Sequence, residues 1–261
     1  MTNTVETYKI PKKYHKQLLP LHNFSWGRFA MGIGFFSLLI AALYLAYDTG
    51  STPIIVLAAV INTFVISSLF EWLVHGIIYH APVPGLKFIY RIHAIHHFKI
   101  FPISKYVQYK TPYEHMYYDP ELKNWRMAET FMEEFKLKGA QVIMHFFISI
   151  VALIVPTWFF TGSLLYTGTT IITSGFIAYW LASVHGAIHS PKDRWFEQMS
   201  WFQWLNHHHY VHHIDVGANV NFMLPMADFI FGSRKAQLTA DEEANNPTFD
   251  EVYPNLALKE A

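Results

Sequence analysis

Apolar and polar positions alternate along this chain in blocks much longer than the period of an amphipathic helix. Four uncharged runs reach the length needed to cross a bilayer core, about 20 apolar residues: Phe29 to Tyr47, Pro53 to Phe70, about Gln141 to Phe160, and about Ser163 to Val184. They predict four transmembrane helices, with buried helices of a large soluble protein as the competing reading. The polar blocks decide between the two. Five Lys/Arg precede the first run, nine lie between the second and third, and five follow the fourth. The connections near Asp48–Thr52 and Thr161–Ser163 contain none, so all 19 basic residues fall on one side of the layout. The positive-inside rule makes that side cytoplasmic, with both termini there. The endoplasmic reticulum and a bacterial inner membrane both offer such a face. The opening MTNTVETYKI lacks the apolar core of a cleaved signal peptide.

This patterning predicts an all-α integral membrane protein with four transmembrane helices and a cytoplasmic helical cap. Residues 1–28 form a cytoplasmic segment, 29–232 the membrane domain and 233–261 a polar, acidic tail. Arg194 to Leu205, RWFEQMSWFQWL, reads as an amphipathic helix in the membrane interface, with core packing as the rival.

Composition sharpens the chemistry. Charged residues make up only 15% of the chain, below the roughly 25% of soluble domains. Lys+Arg and Asp+Glu balance at 19 each, so no nucleic-acid partner is indicated. The absence of cysteine excludes disulfides, thiolate metal sites and a cysteine nucleophile. Histidine is the outlier, at 16 residues. Twelve of them fall into four tight groups, three of which read HGIIYH (His75, His80), HAIHH (His93, His96, His97) and HGAIH (His185, His189). The fourth is HYVHH (His209, His212, His213), preceded by His207 and His208.

An α-helix turns about 100° per residue, so i, i+3 and i+4 share one face. Each HxxHH therefore presents three imidazoles together, and HxxxH presents two. HxxxxH fits less well, because i and i+5 sit about 140° apart on an ideal helix. His80 precedes Ala81-Pro82 and His189 precedes Ser190-Pro191, so both helices are expected to end there and free the last histidine to swing inward. From Pro53 to His80 a helix would run about 42 Å against a core of about 30 Å, which puts the histidines beyond the lipid tails. The same holds for His185 and His189, so all four groups converge on one membrane face. Ten imidazoles exceed the shell of one metal and suit two. Imidazole accepts Zn, Cu, Fe and Ni, so ligand type alone leaves the metal open.

These groups, in this order and each pair following a membrane hairpin, resemble the fatty acid hydroxylase/sterol desaturase superfamily, with the order most similar to the fatty acid 2-hydroxylases. The downstream run NVNFMLPMADFIFGS, with Asn221, Asp228 and Gly232, is similar to the family's segment after its last histidine group. The resemblance implies a di-iron, O2-dependent enzyme that hydroxylates an unactivated C–H bond of a fatty acyl or related lipid. A lipid desaturase on the same scaffold is the alternative it allows. It also implies an external electron donor, such as cytochrome b5 or a ferredoxin-type carrier. The ligands it implies are His75, His80, His93, His96, His97, His185, His189, His209, His212 and His213, with zinc able to replace iron in purified protein. Around them, His208, Glu71, Asp193, Asp215, Asn219, Asn221 and Asp228 are candidates to orient the imidazoles. His208, four before His212, could also take the place of His209, and His207 is expected beside the site or at the surface.

Other classes fit the residues less well. A zinc hydrolase would carry HExxH, and no glutamate lies inside a histidine group. A metal transporter would place ligands near mid-bilayer, where His145 alone falls within the predicted spans. A metal-binding membrane protein without redox chemistry remains a further reading.

Overall fold

The computed structural model describes residues 21–81, 83–86, 93, 116–119, 124–127, 149–189 and 194–244. Helix α1 spans Trp26–Thr49, capped by Ser25, whose hydroxyl accepts the Arg28 amide at 3.2 Å. Helix α2 spans Thr52–Leu73, with Pro53 in its first turn, where a missing N–H costs nothing. It runs on without a break into a π-helical turn, Val74–Tyr79. Strands β1 (Met116–Asp119) and β2 (Asn124–Met127) form an antiparallel hairpin pairing Met116 with Met127 and Asp119 with Asn124. A π-helical stretch, Ile150–Ile154, leads into α3 (Val155–Thr161), followed by the long α4 (Leu164–His189). Helices α5 (Ser200–Ile214), α6 (Met226–Phe231) and α7 (Ala240–Ala244) complete the described chain.

Among the described residues, three segments are long and apolar enough to cross a membrane: Trp26–Asp48, Thr52–Tyr79 and Leu164–Ile188. They match the first, second and fourth predicted runs. Of the third run the structure describes only the second half, where Ile150–Thr161 is a shorter apolar helix. The small hairpin is an addition to the all-α expectation; Tyr117, Tyr118 and Trp125 have the aromatic bias that favours strand. Large side chains on the outer faces, among them Met31, Leu38, Leu45, Leu57, Ile172 and Phe176, are exposed. Water would penalise so wide an apolar surface, whereas lipid accepts it.

Inside the bundle, α2 runs between α1 and α4. Near the start of α4 the Tyr166 hydroxyl donates to the carbonyls of Leu43 and Ala58, each at 3.3 Å, and joins the three helices. Towards the far ends of α1 and α2, Phe231 of α6 inserts among Phe29, Phe36 and Trp72, with ring centroids 5.4, 5.6 and 4.5 Å away. Gly32 admits that ring, since a Cβ there would overlap it. Gly232 ends α6 at φ +81°, the left-handed conformation glycine takes without penalty. A second core, built from Ile177, Leu181, Val184 and Ile188 of α4 with Phe202, Leu205 and Val211 of α5, sits beside the histidines.

Within 194–205, helix begins only at Ser200. Phe196, Phe202 and Leu205 are core, while Trp195, Met199 and Trp204 are exposed. Core packing thus claims half of this segment and leaves its tryptophan edge outward.

Candidate metal centre

The second apolar run positions the first two histidines. His75 and His80 would diverge on an ideal α-helix, but the chain widens into a π-turn over Val74–Tyr79. A π-turn closes its hydrogen bonds at i→i+5, which brings residues five apart onto one face. The two imidazoles accordingly lie stacked, with centroids 5.1 Å apart and planes at 28°. The helix ends where the proline suggests, with His80 as its C-cap, and the π-turn before that end brings the two rings together.

His75, His80, His93 and His212 form one group, with a ligating nitrogen from each lying within 4.8 Å of the others. His75 Nε2 is 3.0 Å from His93 Nε2, which is 3.1 Å from His80 Nε2, and His80 Nε2 is 3.2 Å from His212 Nε2. The outer nitrogens of two rings are held by backbone. His75 Nδ1–H donates to the Val220 carbonyl at 2.5 Å, and His212 Nδ1–H donates to the Ala218 carbonyl at 2.7 Å. In the neutral tautomer this leaves the Nε2 lone pairs of both directed into the group. Burial, and then the nearby His212, push the His80 imidazole well below its ordinary pKa. Burial brings His212 down to about 4. Neutral imidazole is the form that binds metal.

The spacing fits a cation. With metal–nitrogen bonds of about 2.0–2.1 Å, adjacent ligand nitrogens lie about 2.9–3.4 Å apart in tetrahedral or octahedral shells. The three Nε2–Nε2 separations given above fall in that range, within a group that spans no more than 4.8 Å.

Beside this group is a second one. His209 Nε2 is 3.0 Å from His213 Nε2, and the His185 ring lies 4.9 Å from that of His209. Phe222 packs on both, at 4.8 Å from His185 and 5.3 Å from His209. Helix α5 serves both groups: His212 faces the first, and His209 and His213 face the second, with the His209 and His212 rings 5.9 Å apart. His189 is the last residue of α4. The side chain of His189, and all of His96, His97 and Asp193, lie outside the described residues.

The candidates expected around the ligands have definite partners. His208 does not replace His209: its Nε2–H donates to the Asn221 carbonyl at 2.8 Å and lies 3.3 Å from Asp228 Oδ2, while its ring stacks on Trp204. His207 Nε2–H donates to the Ala236 carbonyl at 3.0 Å, on the outer side of α5. Buried Asp228 accepts the amides of Val220 and Asn221 at 3.0 and 2.8 Å and the Ser233 hydroxyl at 2.5 Å. Glu71, one helical turn before His75, accepts the amides of Phe222, Met223 and Leu224 at 3.0–3.3 Å and the Asn221 side chain at 3.2 Å. Two carboxylates therefore clamp the 219–224 segment whose carbonyls hold His75 and His208. Asp215 accepts Lys235 Nζ at 2.8 Å and the Gly217 amide at 3.2 Å.

Sequence reasoning did not find the Ala218 and Val220 carbonyls. No residue type marks a backbone acceptor, although the density of Asn and Asp just after the last histidine group hinted at a loop held by side chains. No protein-family model, no curated protein and no solved structure matches the chain. On its own geometry, this is a helical protein with three membrane-length apolar helices and a buried group of four histidines that could hold a metal ion.

Proposed function

We propose that this chain is an integral-membrane metalloenzyme that uses two iron ions and O2 to hydroxylate a lipid at an unactivated C–H bond. One observation carries the reading: four imidazoles, those of His75, His80 and His212 buried, converge at 3.0–3.2 Å, and the helix that carries His212 also carries His209 and His213 beside them. The motif order and its resemblance to the fatty acid hydroxylase/sterol desaturase superfamily supply the choice of iron and lipid. Bound iron would supply oxygen activation and attack on the C–H bond.

The protein's own part is to hold and orient. His75, His80, His93 and His212 would bind one ion, and His185, His209 and His213 contribute to the second. The carbonyls of Ala218 and Val220 fix two of the tautomers, as outer-shell acceptors do at metal–histidine sites. Phe222 and the adjoining core exclude water from the second group. The balance of the reaction is one lipid C–H, one O2, two electrons and two protons, giving a hydroxylated lipid and one water. With no cysteine for an iron–sulfur centre of its own, the chain would draw its electrons from a separate carrier such as cytochrome b5 or a ferredoxin. The one-sided run of basic residues in the four-span reading supports a site on the cytoplasmic face.

Mass-spectrometric lipid comparison of cells expressing the wild type or His212→Ala, with a matched electron donor, tests the reading. A lipid gaining one oxygen only with the wild type is the expected result, and loss of two hydrogens would instead make it a desaturase. Identical lipids from two folded proteins, the wild type carrying iron, would overturn it in favour of metal binding without catalysis.

A further inference from the structure

Asn219 lies between the two carbonyls that hold His212 and His75, and its φ is +50°. Asparagine adopts this left-handed conformation more readily than other non-glycine residues, and here the surroundings hold it. Asn219 is fully buried, and its Nδ2 donates to the carbonyl of His208 on α5 at 3.1 Å and to that of Lys235 at 2.9 Å. Its Oδ1 accepts the Lys235 amide at 2.7 Å, and its own amide donates to the Ser233 carbonyl at 2.9 Å. One side chain thus joins α5 to the segment after α6. Lys235 is anchored in turn by ion pairs to Asp215, which precedes the carbonyl loop, and to Glu242.

The geometry has a direct consequence for the histidines. Ala218 and Val220 serve rings from different helices, α5 and α2, so the residue between them must turn the backbone from one to the other. The left-handed turn at Asn219 does so, and the side-chain bonds keep it from relaxing.

We propose that Asn219 is a positioning residue for the metal group: by tying α5 to residues 233–235 it fixes the Ala218 and Val220 carbonyls, and through them the aim of His212 and His75. The role rests on the metal reading above. It assigns a function to the first residues of the polar tail, which act as a strap across the ligand loop.

The test is titration of purified, metal-free, full-length protein in detergent with Co2+ alone, following its visible absorption bands. Asn219→Gly keeps the backbone conformation and removes the three side-chain bonds. It should bind cobalt roughly 10–100-fold more weakly, as loss of outer-shell support does elsewhere, and with altered bands. Asn219→Asp keeps the acceptor for the Lys235 amide and should fall between glycine and wild type. A glycine variant with wild-type affinity and bands, even at a lower melting temperature, would overturn the proposal. An aspartate variant equal to wild type or no better than glycine would do the same, and it decides alone should the glycine variant not fold. A wild type that takes up no cobalt removes the metal reading itself, and this role with it.

Discussion

Two long helices, α2 and α4, end in histidine pairs, and they reach that end differently. HGIIYH places its histidines five apart and widens into a π-turn over Val74–Tyr79, whereas HGAIH places them four apart and stays α-helical through His189. The α2 pair is packed against the 215–224 loop, with His75 bonded to Val220 and Glu71 clamping the residues beyond. On α4, His185 meets the same loop through the Phe222 ring and packs also on the His209 ring. Spacing that violates the helical period is tolerated where neighbouring structure holds the distorted turn. Where the spacing obeys the period, ordinary packing is enough. A π-turn inside a helix is also a recurrent mark of functional sites.

The largest effect that could break this comparison comes from the ligands themselves. On the proposed two-ion reading, His80→Ala should remove metal from the α2 side and leave the α4 side loaded, and His185→Ala should do the reverse. Each variant is expected to lose about half of the wild type's bound metal by elemental analysis. If His185→Ala keeps the full metal content, the α4 side is not a binding group, and the difference between the two helices is one of site against scaffold.

Next in size is the clamp. Glu71→Gln replaces one acceptor oxygen by an amide that cannot accept the backbone N–H groups facing it. Loss of such bonds costs about 1–3 kcal/mol, which thermal unfolding in detergent would register. One turn before His185 the matching position on α4 is Leu181, so the asymmetry predicts destabilisation without any direct change in the second group. Unaltered stability would mean that the Glu71 carboxylate does not hold the 222–224 amides.

Acid should reveal the same asymmetry more gently. Folding depresses the His80 and His212 values, the latter to about 4, so between about pH 4 and 6.5 the unfolded chain binds protons that the folded chain does not. The stability of metal-free protein should therefore rise with pH across that window and level off above it. His80→Gln should flatten the rise. A profile with the same slope in wild type and variant would show that burial of His80 does not oppose its protonation.

How far the sequence could go differs between these parts for physical reasons. Membrane-length helices and their order were legible because hydrocarbon imposes a length on every span. The HxxHH group from His209 to His213 was legible because the α-helical period is fixed; what the period cannot say is that His212 and its neighbours His209 and His213 serve different groups. That division depends on where α2 and α4 stand around α5. HxxxxH fits poorly with a period that assumes one helix type, and the π-turn packs against a loop some 145 residues away in the chain. His208 illustrates the remaining limit. Its spacing to His212 matched a ligand, but the Asn221 carbonyl and Asp228 claim its ring.

The smallest expected effect is also the cleanest contrast, because each motif carries a glycine after its first histidine. A Cβ on Gly76 would lie 3.1 Å from Val220 Cγ1, tighter than ordinary packing, while one on Gly186 meets nothing within 4 Å. Gly186→Ala should be neutral or stabilise the protein by about 0.5–1 kcal/mol, the usual gain from replacing glycine within a helix. Gly76→Ala gains the same intrinsic preference but must push Val220, whose carbonyl holds His75. It should forfeit that gain and weaken cobalt binding several-fold, with the loss falling on the α2 side alone. If the two alanine variants behave alike in melting temperature and cobalt affinity, the fit of the π-turn against Val220 is loose. The aim of His75 must then come from its hydrogen bond rather than from the packing of the turn.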